Sequence, residues 1–191
     1  MVERGRLVLV VGPSGAGKDT LIGKAKSALA GDRRFVFPRR VITREAVASL
    51  EDHDTSSGEA FAAAAKSGQF ALSWEAHGLS YGIPASIETD LAAGRTVIVN
   101  VSRKTVEAAR RLHPDCQVLL IDAGVAVRAA RLAARGRESG ADIEARLQRE
   151  GASLPPEVQA TRIDNSGQID VALKAFLVAV GADGGDPAPP Y

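Results

Sequence analysis

A glycine-rich run with one lysine is the stretch of the sequence whose residue types best suit chemistry. The run covers residues 12–20 and follows an apolar segment, residues 7–11, that is typical of a buried strand. After the run, apolar residues recur at helical spacing. Glycines between a strand and a helix let backbone N–H groups converge on an anion, and the helix N-terminus adds partial positive charge.

This order of elements predicts a phosphate-binding loop, in which Lys18 reaches the terminal phosphates of a nucleotide. A plain glycine-rich turn is the alternative, but Gly12, Gly17 and Lys18 stand in the register that a phosphate loop needs. We expect nucleotide contacts from the whole run, which comprises Gly12, Pro13, Ser14, Gly15, Ala16, Gly17, Lys18, Asp19 and Thr20.

The position after the lysine carries a carboxylate, although the general pattern of such loops places a hydroxyl there to bind Mg²⁺. Here the residue is Asp19, and Thr20 follows one place later. A carboxylate is a hard oxygen ligand that can hold Mg²⁺ directly or through water. The alternative is that Asp19 only complements the helix dipole in the first turn. We expect a magnesium role for Asp19, and the sequence leaves open whether Asp19 or Thr20 makes the contact.

The composition fits one core domain. The chain has 191 residues, of which 45% are hydrophobic, and 24 lysines and arginines stand against 23 aspartates and glutamates. This near balance argues against nucleic acid as a partner, because nucleic-acid binding usually requires a clear basic excess. A chain of this length suits a single domain with small insertions.

A single cysteine, Cys116, lies in an apolar stretch. One cysteine excludes an internal disulfide and fits a reducing compartment, and its position favours a core residue over a nucleophile. We find neither a signal-peptide core nor a run of about 18 apolar residues that could span a bilayer. We therefore expect a cytoplasmic protein with no membrane partner.

Strand patterns alternate with helix patterns along most of the chain. Strands are predicted at 7–11, 35–44, 69–75, 96–101, 116–121 and 158–163. Helices are predicted up to about 29, at 58–67, 84–94, 103–112 and 124–134, from 142 onward, and at 169–180. A turn is expected at 76–81, and Ser56 with Glu59 forms a capping-box signal. The alternation predicts an α/β fold with a doubly wound parallel sheet, whose ligands bind beyond the carboxyl ends of the strands.

A glycine-broken basic loop follows the helix predicted at 124–134. Phosphoryl transfer depends on positioning and on neutralising negative charge, so arginines that close over the phosphates are an expected component. We therefore predict a catalytic role for Arg135, Arg137 and Arg146. Arg128 and Arg131 are interpreted as a solvated helix face.

Several short motifs together resemble the guanylate kinase superfamily. These are residues 12–18, Thr43-Arg44, Gly68-Gln69-Phe70, residues 75–78, Tyr81-Gly82 and Arg135-Gly136. The resemblance implies a P-loop nucleoside-monophosphate-kinase-like fold that uses ATP and Mg²⁺. It implies a single kinase domain at 1–180, with a core at 1–37 and 95–180, an acceptor-binding region at 38–94 and a lid at 128–148. It also places Asn165 near the adenine, while the Gly- and Pro-rich tail 181–191 is expected to be disordered.

The guanine-reading features of that superfamily are missing. Val47 stands where a second arginine is expected, and Leu72 stands where a carboxylate reads the guanine edge. Asn100 and Ser102 replace aspartates at the end of a strand. A site built to hydrogen-bond guanine loses much of its discrimination without such partners.

These departures make the chain similar to another branch, the ribose 1,5-bisphosphate phosphokinases. The matching positions are Asp19 and residues 70–74, 77–79, 99–103 and 135–138. The resemblance implies transfer of the γ-phosphoryl of ATP to the 1-phosphate of ribose 1,5-bisphosphate. The products would be 5-phosphoribosyl 1-diphosphate and ADP.

An acceptor with two phosphates and no base calls for arginines, which grip phosphate through a bidentate fork. The candidates are Arg44, Arg103, Arg40 and Arg39, and the sequence does not decide which of Arg39 and Arg40 faces the site. Glu75, Asn100 and Ser102 are candidates for the ribose hydroxyls, and Tyr81 for a phosphate oxygen.

Three other functions stay open at this point. One is a nucleoside monophosphate kinase with an altered acceptor, and another is a catalytically inactive guanylate-kinase-like scaffold. A regulatory nucleotide switch is a weaker third. Intact glycines and Lys18 disfavour the scaffold. The sequence is silent on the oligomeric state.

Overall fold

The computed structural model describes residues 4–43, 53–76, 78–134, 147 and 154–182. Its strands are β1 Leu7–Val11, β2 Phe35–Val36, β3 Arg40–Ile42, β4 His53–Thr55, β5 Phe70–Ala76, β6 Leu79–Pro84, β7 Thr96–Asn100, β8 Gln117–Asp122 and β9 Thr161–Asp164. Its helices are α1 Lys18–Ala28, α2 Gly58–Lys66, α3 Ile87–Ala92, α4 Val106–Leu112, α5 Val125–Ala134 and α6 Ile169–Ala179, and a 3₁₀ turn covers Arg103–Thr105.

The main sheet has five strands in the order β2-β7-β1-β8-β9, so the first strand of the chain lies in the middle. The pairs β2–β7 and β8–β9 are parallel. All five residues of β1 are buried, which is why its sequence is an unbroken apolar run instead of an alternating one. The predicted α/β fold with a parallel, doubly wound sheet is confirmed.

The chain divides into two compact units. The first contains residues up to Leu9 together with Arg33–Gln117, and the second contains Val10–Asp32 together with the residues from Val118 onward. The domain boundaries expected from sequence, with an acceptor region at 38–94, stay a prediction.

The first unit carries a second sheet of four strands in the order β4-β3-β6-β5. Here β6 runs antiparallel to both β3 and β5, whereas β4 runs parallel to β3. One face is covered where the ring of Phe70 stacks on Phe61 of α2, with 4.6 Å between the ring centroids. The same ring lies over Gly82 of β6, where a Cβ atom would meet Phe70 Cδ1 at 2.6 Å. Glycine at 82 therefore makes room for the aromatic pair.

The second unit contains the glycine-rich run, and its helix α1 packs against α6. Leu21 and Ala25 of α1 and Ala172 and Phe176 of α6 are buried. In both helices these side chains are four residues apart, which places them on one stripe and explains the helical spacing seen in the sequence.

Four of the element boundaries predicted from sequence are wrong. The strand predicted at 35–44 is two strands, because the chain leaves the main sheet after Val36 and joins the second sheet at Arg40. The turn predicted at 76–81 is confined to the link around Gly78, whose φ is 73°, and Leu79–Pro84 is a strand. Pro84 ends that strand instead of starting a helix, and α2 is capped by Ser57 instead of Ser56.

No helix in the described part of the chain is both long enough and apolar enough to cross a bilayer. Burial raises the pKa of the Cys116 thiol, which keeps it protonated at neutral pH. A protonated thiol is a poor nucleophile. Cys116 is nevertheless half-buried and precedes β8, so the expectation of a core residue inside the strand is not met.

Gly82→Ala is expected to lower the free energy of unfolding by about 1–3 kcal/mol, because the new methyl group collides with the ring of Phe70. Denaturant unfolding measures the change. Gly23→Ala is the matched control, since Gly23 lies inside α1 with open space around its Cα, and this variant should gain up to about 1 kcal/mol. A Gly82→Ala protein as stable as the wild type would contradict the packing described for the second sheet.

Candidate active site

The loop between β1 and α1 has a backbone that requires glycine at defined positions. Gly15 and Gly17 have φ angles of 77° and 84°, in the left-handed region that glycine adopts without strain. Gly12 lies against the backbone of β8, where a Cβ atom would be 2.0 Å from the Ile121 carbonyl oxygen. The backbone geometry of the loop therefore requires glycine at these three positions.

Lys18 begins α1 and turns its side chain back over this loop. Its Nζ donates to the carbonyl oxygen of Gly12 at 2.8 Å and to that of Pro13 at 3.0 Å. The ammonium group thus lies among the backbone groups of the loop, at the N-terminus of a helix. Both the helix end and the ammonium group carry positive charge, so the arrangement suits the binding of phosphate.

Asp19 and Thr20 lie in the first turn of α1, and both are exposed. Oxygen ligands at this place suit a hydrated magnesium ion, which usually retains several waters and uses one or two protein ligands. Within the described ranges no group of three or more acidic, histidine or cysteine side chains forms a metal cluster. The magnesium role of Asp19 stays a prediction.

The interpretation of Arg128 and Arg131 as a solvated helix face is wrong. Arg128 is 9% exposed, and its Nε donates to the Ala123 carbonyl at 3.1 Å. Arg131 donates to the carbonyl groups of Gly15 and Ala16 in the phosphate loop. The physical reason is that α5 packs on the loop, because a Cβ atom at Gly15 would be 2.8 Å from the Arg128 carbonyl oxygen. Their spacing of three residues shows that the two arginines share a helix face, but not what covers that face.

Asn165 follows β9 and is 1% exposed. Its Nδ2 donates to the Ala16 carbonyl at 2.7 Å, and its backbone N–H donates to the Asp122 carbonyl at 2.7 Å. Its Oδ1 is buried and has no hydrogen-bond partner among the described residues. Asn165 therefore contacts the phosphate loop, and the expected proximity to adenine stays a prediction.

In the second sheet, Tyr81 lies on β6 between side chains from both neighbouring strands. The Trp74 ring of β5 stacks on it at 5.3 Å between centroids with 6° between planes, and the Arg40 guanidinium of β3 lies 6.0 Å from its centroid. Because β3 and β5 flank β6 on opposite sides, Arg40 and Trp74 approach the Tyr81 ring from two sides. Its hydroxyl is then the part best suited to contact a ligand.

The structure distinguishes the two neighbouring arginines. Arg39 donates to the His53 carbonyl at 2.8 Å and lies 3.1 Å from the Asp54 carboxylate, so it is directed along β4. Arg40 instead lies beside Tyr81. Of the two, Arg40 is the one that the fold places with another predicted acceptor residue.

Glu75 and Tyr81 are not brought together on one surface of the second sheet. Trp74 pairs with Tyr81, and Glu75 pairs with Ser80. Successive side chains of a strand point to opposite faces, so Glu75 lies on the face opposite to Tyr81. Leu72 shares the face of Tyr81 and is 4% exposed.

The predicted hydroxyl-binding residues follow the carboxyl end of β7. Asn100 is the last residue of β7 and is buried, and the Ser102 hydroxyl accepts from the Lys104 N–H at 3.3 Å. This contact caps the 3₁₀ turn that Arg103 opens, and β5 packs against the same turn. Asn100, Ser102 and Arg103 therefore belong to one local structure next to the second sheet.

The remaining predicted residues fall outside the described ranges. They are Arg44, Arg135, Arg137 and Arg146. Their roles stay predictions.

The structure has the P-loop kinase fold of the guanylate kinase type. A crystal structure of guanylate kinase from Anaplasma phagocytophilum matches with a TM-score of 0.67 at 16% identity, covering 96% of this chain and 88% of that one. At this identity the likeness shows the fold alone.

Sequence relatives identify the family within that class. The chain is 49% identical over 174 residues to ribose 1,5-bisphosphate phosphokinase PhnN of Brucella melitensis, covering 91% of each protein. It is 53% identical over 177 residues to the protein of that name in Acidiphilium cryptum, covering 93% of each. No protein-family model matches the sequence. The chain belongs to the ribose 1,5-bisphosphate phosphokinase family.

Gly17→Ala is expected to weaken ATP binding by at least about tenfold, because a Cβ atom there would lie 2.6 Å from Asn165 Nδ2 on a backbone with φ 84°. Isothermal titration calorimetry measures the Kd. Gly31→Ala is the control, since its Cα faces open space beyond α1. Unchanged binding by Gly17→Ala would contradict the loop geometry.

Proposed function

We propose that this chain transfers the γ-phosphoryl group of ATP to the 1-phosphate of ribose 1,5-bisphosphate. The products are 5-phospho-α-D-ribose 1-diphosphate and ADP. The observation that carries the proposal is the identity of about half over nine-tenths of the chain to proteins named for this reaction. The intact glycine loop and Lys18 supply the means for phosphoryl transfer.

The chemistry requires little from the protein beyond positioning and charge. An oxygen of the 1-phosphate attacks the γ-phosphorus, and the bond from that phosphorus to the β,γ-bridging oxygen breaks, so its electron pair leaves with ADP. The attacking oxygen is already largely deprotonated at neutral pH, so no general base is needed. Lys18 stabilises the charge that moves from the γ- to the β-phosphate. We assign Arg135, Arg137 and Arg146 to the same task from the lid.

The loop residues 12–20 contact the phosphates of ATP, and the backbone N–H groups come from residues other than Pro13, which has none. Asn165 lies toward the adenine. Asp19 or Thr20 holds Mg²⁺, directly or through water. When bound, the metal offsets the negative charge of the β- and γ-phosphates. The exposure of both side chains in the first turn of α1 supports this assignment.

The acceptor is held by its two phosphates and its hydroxyls. Arg40, Arg44 and Arg103 bind phosphate, and the Tyr81 hydroxyl donates to a phosphate oxygen. Asn100 and Ser102 serve the ribose hydroxyls. Glu75, predicted for the same task, lies on the face of the second sheet opposite to Tyr81 and contributes less. The apolar Leu72 on the face of Tyr81 supports an acceptor without a base, because it offers no carboxylate to a purine.

We assign this reaction to the cytoplasm. The single cysteine fits a reducing compartment, and ATP is available there. Balanced charge supports small-molecule substrates over nucleic acid.

Phosphorus NMR of the purified protein with ATP, Mg²⁺ and ribose 1,5-bisphosphate tests the proposal. We expect the 1-phosphate signal to be replaced by two coupled diphosphate signals while ATP becomes ADP. Parallel samples contain GMP or AMP as acceptor. Conversion of a nucleotide but not of the sugar bisphosphate would identify a nucleoside monophosphate kinase, and conversion of no acceptor would identify an inactive scaffold.

Lys18→Ala is expected to lower kcat by at least about 100-fold, because the variant lacks the ammonium group that lies over the loop. Lys24→Ala is the matched control, since Lys24 is an exposed lysine of the same helix that pairs with Asp170. Steady-state rates at saturating ATP compare the two. A kcat for Lys18→Ala within a few-fold of the wild type would contradict the role of Lys18.

Tyr81→Phe is expected to raise the KM for the acceptor by at least about tenfold and to leave the KM for ATP unchanged, because it removes one hydrogen bond to a charged phosphate. Glu75→Gln is expected to have the smaller effect, since Glu75 lies on the opposite face of the sheet. Ser73→Ala, an exposed change on the face of Glu75, is the control. A larger KM change for Glu75→Gln would show that the other face binds the acceptor.

A further inference from the structure

Two side chains from separate elements meet at the carbonyl groups of the phosphate loop. The Arg131 Nη2 atom donates to the Asn165 carbonyl at 2.8 Å, and Nη1 lies 3.5 Å from the Gly15 carbonyl oxygen and 3.4 Å from that of Ala16. Asn165 Nδ2 donates to the same Ala16 carbonyl at 2.7 Å. The Ala16 carbonyl therefore accepts from both Arg131 and Asn165.

These contacts fix the direction of a peptide group. In a planar trans peptide the carbonyl and the following N–H point in opposite directions. When the Ala16 carbonyl is turned toward Arg131 and Asn165, the N–H of Gly17 is turned away from them. Backbone N–H groups are what such a loop offers to phosphate. Contacts that hold the Ala16 carbonyl therefore also determine the direction of the Gly17 N–H group.

Arginine suits this position better than lysine. A guanidinium group carries five N–H donors in one rigid plane, so it can reach several carbonyl groups at once, whereas an ammonium group acts as a compact point charge. Arg131 is half-buried, and its charge lies beside the loop. The same group that orients the peptide therefore also favours an anion there.

The partners of Arg131 are themselves held in place. One turn earlier on α5, the Arg128 backbone lies against Gly15, and the buried Arg128 side chain bonds to Ala123. The Asn165 N–H donates to the Asp122 carbonyl at the end of β8. Packing and hydrogen bonds therefore connect the loop to α5 and to the end of β9 within the second unit.

We propose that Arg131 is a positioning residue for phosphate binding. It holds the Ala16 carbonyl, along with the Gly15 carbonyl and the Asn165 backbone, so that the N–H group of Gly17 faces the phosphates of the nucleotide. The Ala16 N–H, which belongs to the peptide of the Gly15 carbonyl, donates to the Pro13 carbonyl at 3.3 Å instead. This inference deepens the proposed function and rests on it in taking ATP as the ligand of the loop. It requires no contact between Arg131 and the nucleotide.

The test measures binding of Mg-ATP and of Mg-tripolyphosphate by calorimetry in the full chain. The variants are Arg131→Met, Arg131→Lys, Asn165→Ala and the double variant Arg131→Met with Asn165→Ala. Arg162→Ala is the matched control, because Arg162 is an arginine of the same unit with a 70% exposed side chain that pairs with Asp122. Thermal unfolding confirms that each protein is folded at the assay temperature.

Arg131→Met is expected to raise the Kd for Mg-ATP and the Kd for Mg-tripolyphosphate by the same factor, at least about tenfold. Arg131→Lys is expected not to restore the affinity. Two independent tenfold losses would multiply to about 100-fold. Since both side chains act on one carbonyl, the double variant should lose clearly less than this product. Arg162→Ala should bind both ligands like the wild type.

Several results would overturn the proposal. One is wild-type affinity in Arg131→Met or in Arg131→Lys. Another is a loss of affinity for ATP without a loss of affinity for tripolyphosphate. A third is a loss of affinity in the double variant that equals the product of the two single losses. If Arg131→Met does not fold, the affinity of Arg131→Lys for the two ligands tests the proposal in its place. A wild-type protein that binds tripolyphosphate but does not convert ribose 1,5-bisphosphate would count against the proposed acceptor alone, and the binding ratios would still decide on Arg131.

Discussion

The direction of a few peptide groups between residues 12 and 17 is the constraint on which the rest of the second unit depends. A loop that presents N–H groups to an anion must turn its carbonyl groups elsewhere, and buried carbonyls need donors. Lys18 supplies donors to Gly12 and Pro13, while Arg131 and Asn165 supply them to Gly15 and Ala16. In our proposal, α5 and the end of β9 therefore belong to the phosphate site, although neither contributes a glycine to it.

Selection of the acceptor depends on different physics. In the proposed reaction, the two phosphates of the pentose acceptor give strong charge and no aromatic surface, so we expect arginines to select this acceptor over a nucleotide. On the second sheet, the ring of Tyr81 lies between Trp74 and Arg40, and Leu72 is buried on the same face. A purine would find no carboxylate at position 72. The stacking of Trp74 on one face of Tyr81 favours a contact through the Tyr81 hydroxyl.

The features that local sequence patterns encode were predicted well. The glycine loop, the buried strand β1 and the helices α1, α5 and α6 follow from periodicity and from glycine placement, and the structure has them close to where they were expected. Residues 35–44 were misassigned because a continuous β-like pattern cannot show that the chain changes sheets after Val36. The strand β6 was missed because Gly78 and Ser80 resemble a longer turn, whereas pairing with β5 extends the strand.

The positions of site residues were harder to predict where they depend on packing between elements. Arg131 looked like a surface residue, because the sequence does not reveal that α5 lies on the loop. The separation of Glu75 from Tyr81 follows from the strand register, which only the pairing of β5 with β6 establishes. By contrast, the local order of Asn100, Ser102 and Arg103 at the end of β7 could be read directly from the chain.

The central claim is that charge, and not base recognition, selects the acceptor. A competition assay tests it most directly, with ATP, Mg²⁺ and equal concentrations of ribose 1,5-bisphosphate and GMP in one tube and both products quantified over time. We expect the sugar diphosphate to form with a preference of at least about 10⁴, the discrimination that a site gains when its polar partners match one ligand and not the other. Comparable rates for both acceptors, or faster formation of GDP, would contradict the account.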